Sequence, residues 1–393
     1  MAIAKKKSGS SSSLQDMLLN KFNAYFKPDK YKTGILPLDE VLGGYIQTGS
    51  LIEISSESGV GKSTLVLHLA KNFADNGLKT LYIDSEGSVK DAMVKGLHLD
   101  SYLSTKEKPD NLFTLVRIAG YSDVEELITQ AVQEGDFTLI VIDSLTALVG
   151  DVYLDPKENR LATENRVGFD ALMTSKLLKK LNALKTEYNC IFVCISQTRV
   201  DLSNTFITTY KSAGGQAVKF FPDVRLFLKR KAALLDNAKL LIGETDKATI
   251  GAEVTIEATK SRQGLGFVKY PMTIYFGKGV SNLAAYVTLL DLPELVNSKG
   301  VHVLERATTQ TSILHLDSGD YKATGGKNGL NTLIVEHGDE VSKLCYDYVN
   351  TYFHEQFKES VNADYDNRDD LIAVENEDKE YSADDTEDLD ASV

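Results

Sequence analysis

Long apolar runs are missing from this 393-residue chain. No stretch of about 18 uncharged apolar residues occurs, which excludes a membrane-spanning helix. The basic N-terminal stretch MAIAKKKSGSSSS is followed by no apolar run, which argues against a secretory signal. Cysteine is scarce, with three in all. Cys190 and Cys194 share the apolar run YNCIFVCIS, four residues apart on one side of a strand, where both are expected to pack in a core. That spacing is neither a zinc pattern nor a disulfide framework, and it fits a reducing cytoplasm. No internal repeat is present.

The chain also lacks an even distribution of charge. Its net charge is −13, but residues 364–393 carry 13 carboxylates against Arg368 and Lys379, a local net of −11. The remaining 363 residues carry only −2. The acidity belongs to a tail, expected to be disordered and either solvating or in competition with nucleic acid for a basic site.

What is present is a strand-and-helix alternation. SLIEIS, KTLYID, LFTLVRI, FTLIVID and CIFVCIS are apolar runs of strand length, and KSTLVLHLAKNFADNG and SDVEELITQAVQEG lie between them as helices. Such alternation predicts an α/β fold with a mostly parallel sheet covered on both faces. RLFLKR, EVTIEATKSR and YPMTIYF follow more closely and predict antiparallel hairpins that extend the sheet. Ahead of this core, LQDMLLNKFNAYF places Leu14, Met17, Leu18, Phe22, Tyr25 and Phe26 at helical spacing. The expected organisation is 1–32 as a disordered stretch and amphipathic helix, 33–290 as the core, 291–363 as a small α+β region and 364–393 as the tail.

SSESGVGKST, residues 55–64, matches the phosphate-loop pattern G-x-x-x-x-G-K-S/T except that Ser56 replaces the first glycine. The context is right: a strand precedes it and a helix follows, so backbone N–H groups and a helix N-terminus can hold phosphates. Residues Ser56, Glu57, Ser58, Gly59, Val60, Gly61, Lys62, Ser63 and Thr64 form the expected nucleotide site. Lys62 would reach the β/γ-phosphates of ATP and Ser63 would ligate Mg²⁺, while Ser56 is expected to cost some turn geometry. Asp143 ends the strand FTLIVID, where a carboxylate can hold the Mg²⁺ water shell, or more plainly cap a strand-to-helix turn. Glu86 in LYIDSEGS lies just past another strand end and is the candidate general base for attack of water on the γ-phosphoryl group.

At these residues the chain resembles the RecA/RadA recombinase family, bacterial or phage-type, over residues 33–290. TGILPLDEVLGG is similar to the segment that leads into the family's phosphate loop, YIDSEGS to its strand bearing the catalytic glutamate, and VIDSLTAL to its metal-site strand. The most discriminating stretch is CISQTRVDLSNTFITTYKSAGGQAVKFFPDVRLFLKR. There the resemblance implies that Gln197 senses the γ-phosphate at the root of a DNA-binding loop that closes on Gly214 and Gly215, before Lys219 and Phe220. Arg199 and Lys211 are its phosphate candidates, and Leu202 and Phe206 its apolar wedges. GDVYLDPKENRLATENRVGFDALM occupies the place of a first DNA loop, with Arg160 and Arg166 for phosphate and Val167 and Gly168 at its terminus. Lys260 and Arg262 in EATKSRQGLGF are similar to a basic pair that reaches a neighbour's γ-phosphate in trans; a solvent-facing basic strand is the plainer reading. Met93 stands near the place of an adenine-stacking aromatic.

The resemblance implies a RecA-like ATPase core that binds ATP and Mg²⁺, assembles into helical filaments on single-stranded DNA, and pairs it with double-stranded DNA in strand exchange. It further implies N-terminal protomer docking, a tail that restrains access to duplex DNA, single-strand-binding and mediator proteins as partners, and a cytoplasmic location (the host cytoplasm for a phage protein). Two alternatives share the core. A hexameric helicase is expected to carry a larger N-terminal partner domain than the roughly 48 residues that precede the first core strand here. A non-catalytic mediator or accessory paralog is disfavoured by retention of Lys62, Glu86 and Asp143. A small-molecule kinase is more distant, since no acceptor pocket is indicated.

Overall fold

The computed structural model describes residues 28–150, 166–201, 209–212, 217–235, 249–263 and 268–362. The expected helix at 14–26, the acidic tail, Arg160, Leu202, Phe206, Gly214 and Gly215 lie outside the described residues.

The chain enters through β1 (Lys30–Tyr31), α1 (Leu36–Val41) and β2 (Ile46–Gln47), where β1 and β2 form a small antiparallel pair. The alternating core follows: β3 (Leu51–Ser56), α2 (Lys62–Asp75), β4 (Lys79–Asp84), α3 (Asp91–Gly96), β5 (Phe113–Val116), α4 (Tyr121–Glu134) and β6 (Phe137–Asp143). Then come α5 (Arg166–Tyr188), β7 (Ile191–Asp201), β8 (Thr209–Ser212), α6 (Ala217–Phe220) and β9 (Val224–Leu235). An antiparallel meander of β10 (Thr249–Ser261), β11 (Lys269–Tyr275) and β12 (Gly279–Ser281) completes the sheet. Strand order is β12-β11-β10-β9-β3-β7-β6-β4-β5, with β8 paired to β7. From β9 to β5 all neighbours run parallel.

Alternation along each strand decides which layer it feeds. Ile52, Ile54, Tyr82, Val141, Val193 and Ile195 pack with Leu65, Leu69 and Phe73 of α2. Their sequence neighbours Leu51, Leu81, Ile83, Ile140, Ile142, Phe192, Cys190 and Cys194 pack with α4 and α5 through Tyr121, Val124, Leu177 and Leu181. A strand with apolar residues on both faces is what a two-layer cover requires. Both cysteines are buried in the second layer, and burial pushes the Cys190 thiol up to about 12.

Two strands outrun their sequence signals. β7 was expected over residues 190–196 but continues to Asp201, because from Thr198 onward it pairs antiparallel with β8. The meander is likewise longer than its apolar runs, with Glu253 to Thr249 at the far end of β10 still paired to β9. Ladder hydrogen bonds carry both extensions, and in β10 the buried Ala252 adds a core contact.

After Ser281, α7 (Leu283–Leu290) leads to a three-stranded antiparallel sheet of β13 (Leu304–Thr308), β14 (Thr311–Leu316) and β15 (Gly319–Thr324). α8 (Gly326–Glu336) and α9 (Gly338–Asn362) follow. Contacts divide the chain into Met1–Thr351 and Tyr352–Val393, and the described part of the latter is the end of α9. No helix among the described residues is long and apolar enough to cross a membrane.

Candidate functional site: a phosphate loop at the strand ends

The C-terminal ends of β3, β4, β6 and β7 form one row. Ser56 pairs with Gln197, Asp84 with Asp143, and Asp143 with Ile195. Above this row lies a cavity of about 610 Å³. It gathers Ser58, Gly59, Gly61, Lys62, Ser63, Thr64, Glu86, Met93, Asp143 and Gln197, all of them named from the sequence. Glu57 is exposed beside it, and Ser56 and Val60 are buried beneath it.

Gly61 caps α2 with φ +112°, a left-handed backbone that disfavours any side chain, and a Cβ there would also meet Ile274 at 3.0 Å. Ser56 is different. Among the described residues the non-glycine positions with positive φ are His98 and Asn189, so Ser56 takes an ordinary strand conformation. The expected cost in turn geometry is therefore absent. Its buried hydroxyl instead accepts from Lys62 Nζ at 2.9 Å and donates to Glu57 O at 2.6 Å. Lys62 Nζ also donates to Ser56 O at 3.2 Å and to Glu57 O at 2.9 Å. The ammonium is buried, and burial lowers its pKa against the opposing pull of Asp143 and Glu86.

Asp143 is 1% exposed. Its Oδ2 accepts from Tyr82 Oη at 2.7 Å, while Oδ1 is buried without a hydrogen-bond partner. Burial raises the pKa of this carboxyl, and the hydroxyls of Ser63 and Tyr82 oppose that rise. Burial, then the charge of Asp143, holds the Tyr82 phenol protonated well above its usual range. An orphaned, buried carboxylate oxygen beside a serine hydroxyl is an all-oxygen donor set of the kind a hard divalent cation takes. The residues present therefore fit Mg²⁺.

Glu86 sits on a short loop that Asp84 folds. The Asp84 carboxylate accepts from the backbone N–H of Ser88 at 3.0 Å and of Val89 at 3.1 Å, and pairs with Arg117 at 3.5 Å. This delivers the Glu86 carboxylate to Gln197, whose Nε2 donates to Oε1 at 3.1 Å and Oε2 at 3.2 Å. Gln197 is the last β7 residue paired to β3; the next, Thr198, pairs with Ser212 of β8. It stands where the strand leaves the nucleotide sheet and enters the hairpin.

The far wall comes from residues that sequence reading passed over. Phe276, Gly277 and Lys278, in the turn between β11 and β12, line the cavity beside Met93 and Gly96 of α3. A Cβ on Gly96 would lie 2.0 Å from Gly277 O, so glycine is required for α3 to approach this turn. Tyr82 and Arg230, which donates to Gly59 O, were also missed. Their only sequence signals were a tyrosine in an aliphatic strand two residues before Asp84, and an arginine at the end of RLFLKR.

Lys260 and Arg262 do not join this cavity. Ser56 aligns across β9 with Ile256, whereas Lys260 aligns through Arg225 with Glu53. Lys260 is thus three registers, about 10 Å, toward the opposite end of the sheet, with Arg262 further still. Lys260 Nζ donates to Lys219 O at 3.1 Å and Phe220 O at 2.8 Å, and burial, then Arg262, lowers its pKa. Of the DNA-contact candidates on described backbone, Arg166, Val167 and Gly168 open α5, while Arg199 of β7 is the backbone register partner of Lys211 of β8.

A family model described as the RecA N-terminal domain matches residues 5–281. The chain is 28% identical to Protein RecA of Mycoplasma mycoides over 274 residues, 70% of this chain and 73% of that relative. It is 27% identical to Protein RecA of Geobacter metallireducens over 319 residues, 80% and 83% of the two chains. With Protein RecA of Mannheimia haemolytica the identity is 24% over 319 residues, 81% and 77%. A match that spans most of the chain and includes the phosphate loop, the buried aspartate strand and the glutamine strand places it: the chain belongs to the RecA family.

Proposed function

We propose that this protein is a DNA-dependent ATPase that forms filaments on single-stranded DNA and promotes homologous pairing and strand exchange. The observation that carries this reading is Gln197. One amide touches the candidate base Glu86 and sits at the residue where β7 changes partner from β3 to β8, the hairpin that leads into the assigned DNA segment. A γ-phosphate that competes for this amide would be felt directly at the root of that hairpin.

ATP phosphates bind over Gly59, Gly61 and the N-terminus of α2, and Lys62 exchanges the oxygens of Ser56 and Glu57 for the β/γ-phosphates. Ser63 and the free Oδ1 of Asp143 would hold Mg²⁺, which when bound supplies neutralisation of phosphate charge. Glu86 takes a proton from the attacking water as its oxygen bonds to the γ-phosphorus, and ADP leaves in line. Met93 and Phe276 offer apolar surface for the base. Lys260 and Arg262, turned away from their own site, serve a neighbour's γ-phosphate, so turnover requires assembly. Arg166, Val167, Gly168, Arg199 and Lys211 contact DNA, with Arg160, Leu202, Phe206, Gly214 and Gly215 on the adjoining segments. Bound ATP orders these segments and hydrolysis releases DNA.

The test is exchange between a labelled duplex and a homologous single strand. ATP-dependent transfer that fails with a non-homologous strand is expected. Filaments with no transfer at any protein-to-nucleotide ratio would move the assignment to an accessory paralog.

A further inference from the structure

One carboxylate close to Arg262 has no part in this mechanism. Asp223 lies three residues beyond the end of α6, and its side chain is 13% exposed. Its backbone is fixed against the first residue of β3. Asp223 N–H donates to Leu51 O at 2.7 Å, and Leu51 N–H donates to Asp223 Oδ2 at 2.9 Å. Two cations converge on the same carboxylate. Lys185 Nζ reaches Oδ2, and Arg262 Nη1 lies 3.5 Å from Oδ1. The backbone N–H of Arg262 donates to Asp223 O at 2.9 Å.

Each of these partners leads elsewhere. Lys185 lies in the last turn of α5, a 23-residue helix that begins at Arg166, the end of the first assigned DNA segment. α6 closes the second assigned DNA segment, and its last carbonyls hold Lys260. Leu51 opens the strand that runs to the phosphate loop. The far end of α5, about 28 Å along the helix from the first DNA segment, the first residue of the nucleotide strand and Arg262 therefore meet at Asp223, just beyond the α6 carbonyls that hold Lys260. The contacts are graded as well. Lys185 is buried against the carboxylate with a side chain 8% exposed, whereas Arg262 is 58% exposed on a long contact. Asp223 is thus rigid on the inside and only tethers Arg262, whose Nη2 makes a second long contact, to Phe220 O at 3.5 Å; both contacts are loose enough to yield to an anion outside the protomer.

We propose that Asp223 is a positioning residue for Arg262, aiming its guanidinium out of the protomer and tying that aim to α5 and α6. The proposal rests on the in-trans reading of Arg262. It deepens that reading by naming how occupancy of the DNA segments reaches a cation that acts on another protomer's ATP.

The experiment uses the full chain and steady-state ATP hydrolysis with single-stranded DNA. Asp223→Asn keeps an acceptor for Leu51 and removes the charge that orients Arg262. A fall in kcat of about three- to tenfold with unchanged KM for ATP is expected. Arg262→Ala falls further, and adding Asp223→Asn to it changes nothing more. Asp223→Glu, which restores the charge, recovers part of the loss. Mixing Asp223→Asn protomers with Lys62→Ala protomers gives more turnover than the two separately, because the latter supply a well-placed Arg262 to intact sites. Asp223→Ser, whose hydroxyl can accept from Leu51, replaces the asparagine variant if that does not fold.

Wild-type kcat in Asp223→Asn alongside an impaired Arg262→Ala overturns the positioning role alone. Losses that add fully in the double variant overturn it too, since Asp223 would then act through Lys185 or β3. An unimpaired Arg262→Ala removes the in-trans reading itself.

Discussion

Restoring the family glycine with Ser56→Gly should weaken this protein. The position is a buried strand end with ordinary φ, so glycine gains no turn geometry there. The serine hydroxyl is one of three oxygens around the Lys62 ammonium, at 2.9 Å. A hydrogen bond to a charged group contributes about 1.5–3 kcal/mol, and the two carbonyls that remain offset part of its loss. Glycine in a strand interior costs roughly 0.5–1 kcal/mol in added unfolded-state freedom. The net is a destabilisation of about 1–3 kcal/mol, which for a chain of this size lowers Tm by roughly 1–4 °C. Calorimetry of the nucleotide-free protein reads this directly. Titration with ATP should show affinity retained within about threefold, since the hydroxyl holds Lys62 only before the phosphates arrive. A variant that melts higher and hydrolyses faster than wild type would refute this, because Ser56 would then be a strained substitute for glycine.

Three further predictions follow from other residues. Lys62→Ala should abolish measurable hydrolysis, and undiminished turnover would remove the nucleotide site as assigned. Gly96→Ala places a Cβ 2.0 Å from Gly277 O, so α3 must shift; ATP affinity should fall about tenfold or more, and an unchanged value in a binding titration would show that the far wall does not touch the base. Glu40 is buried with an unpartnered Oε1, and burial, then the charge of Asp39, raises its pKa to about 7. An acid raised in the folded state favours folding while protonated, and that contribution is lost as pH rises from the unfolded value toward 7. Glu40→Gln should therefore be more stable than wild type at pH ~8, by on the order of 2–3 kcal/mol. The difference should shrink as pH falls toward ~5, and denaturant melts that show the opposite trend would contradict the burial argument.

Local chemistry was legible in the sequence, and partner choice was not. The apolar runs ending in Ser56, Asp84 and Asp143 read as strands because buried parallel strands need little beyond composition and length. Lys62, Ser63, Glu86, Asp143 and Gln197 could be named because each lies within a few residues of a strand end, and the structure gathers all five at one cavity. Tyr82, Phe276 and Lys278 could not. Tyr82 reads as a core aromatic until register sets it beside Asp143, 61 residues away, and Phe276 and Lys278 reach the cavity only through the fold of the meander. The continuation of β7 past Gln197 was hidden for the same reason. TRVD has no apolar pattern, and its ladder depends on a partner strand whose register residue-by-residue patterning does not carry. Ser56 was misjudged because a motif specifies residue type, whereas the cost of leaving it depends on the φ at that place.

The most direct test of the central claim is ATP hydrolysis with and without single-stranded DNA, with electron microscopy of the same samples. Strong stimulation accompanied by ATP-dependent helical filaments is expected if Gln197 couples the γ-phosphate to the DNA segments and the outward cations complete each site. Equal turnover with and without DNA, or stimulation with closed rings in place of filaments, would contradict it.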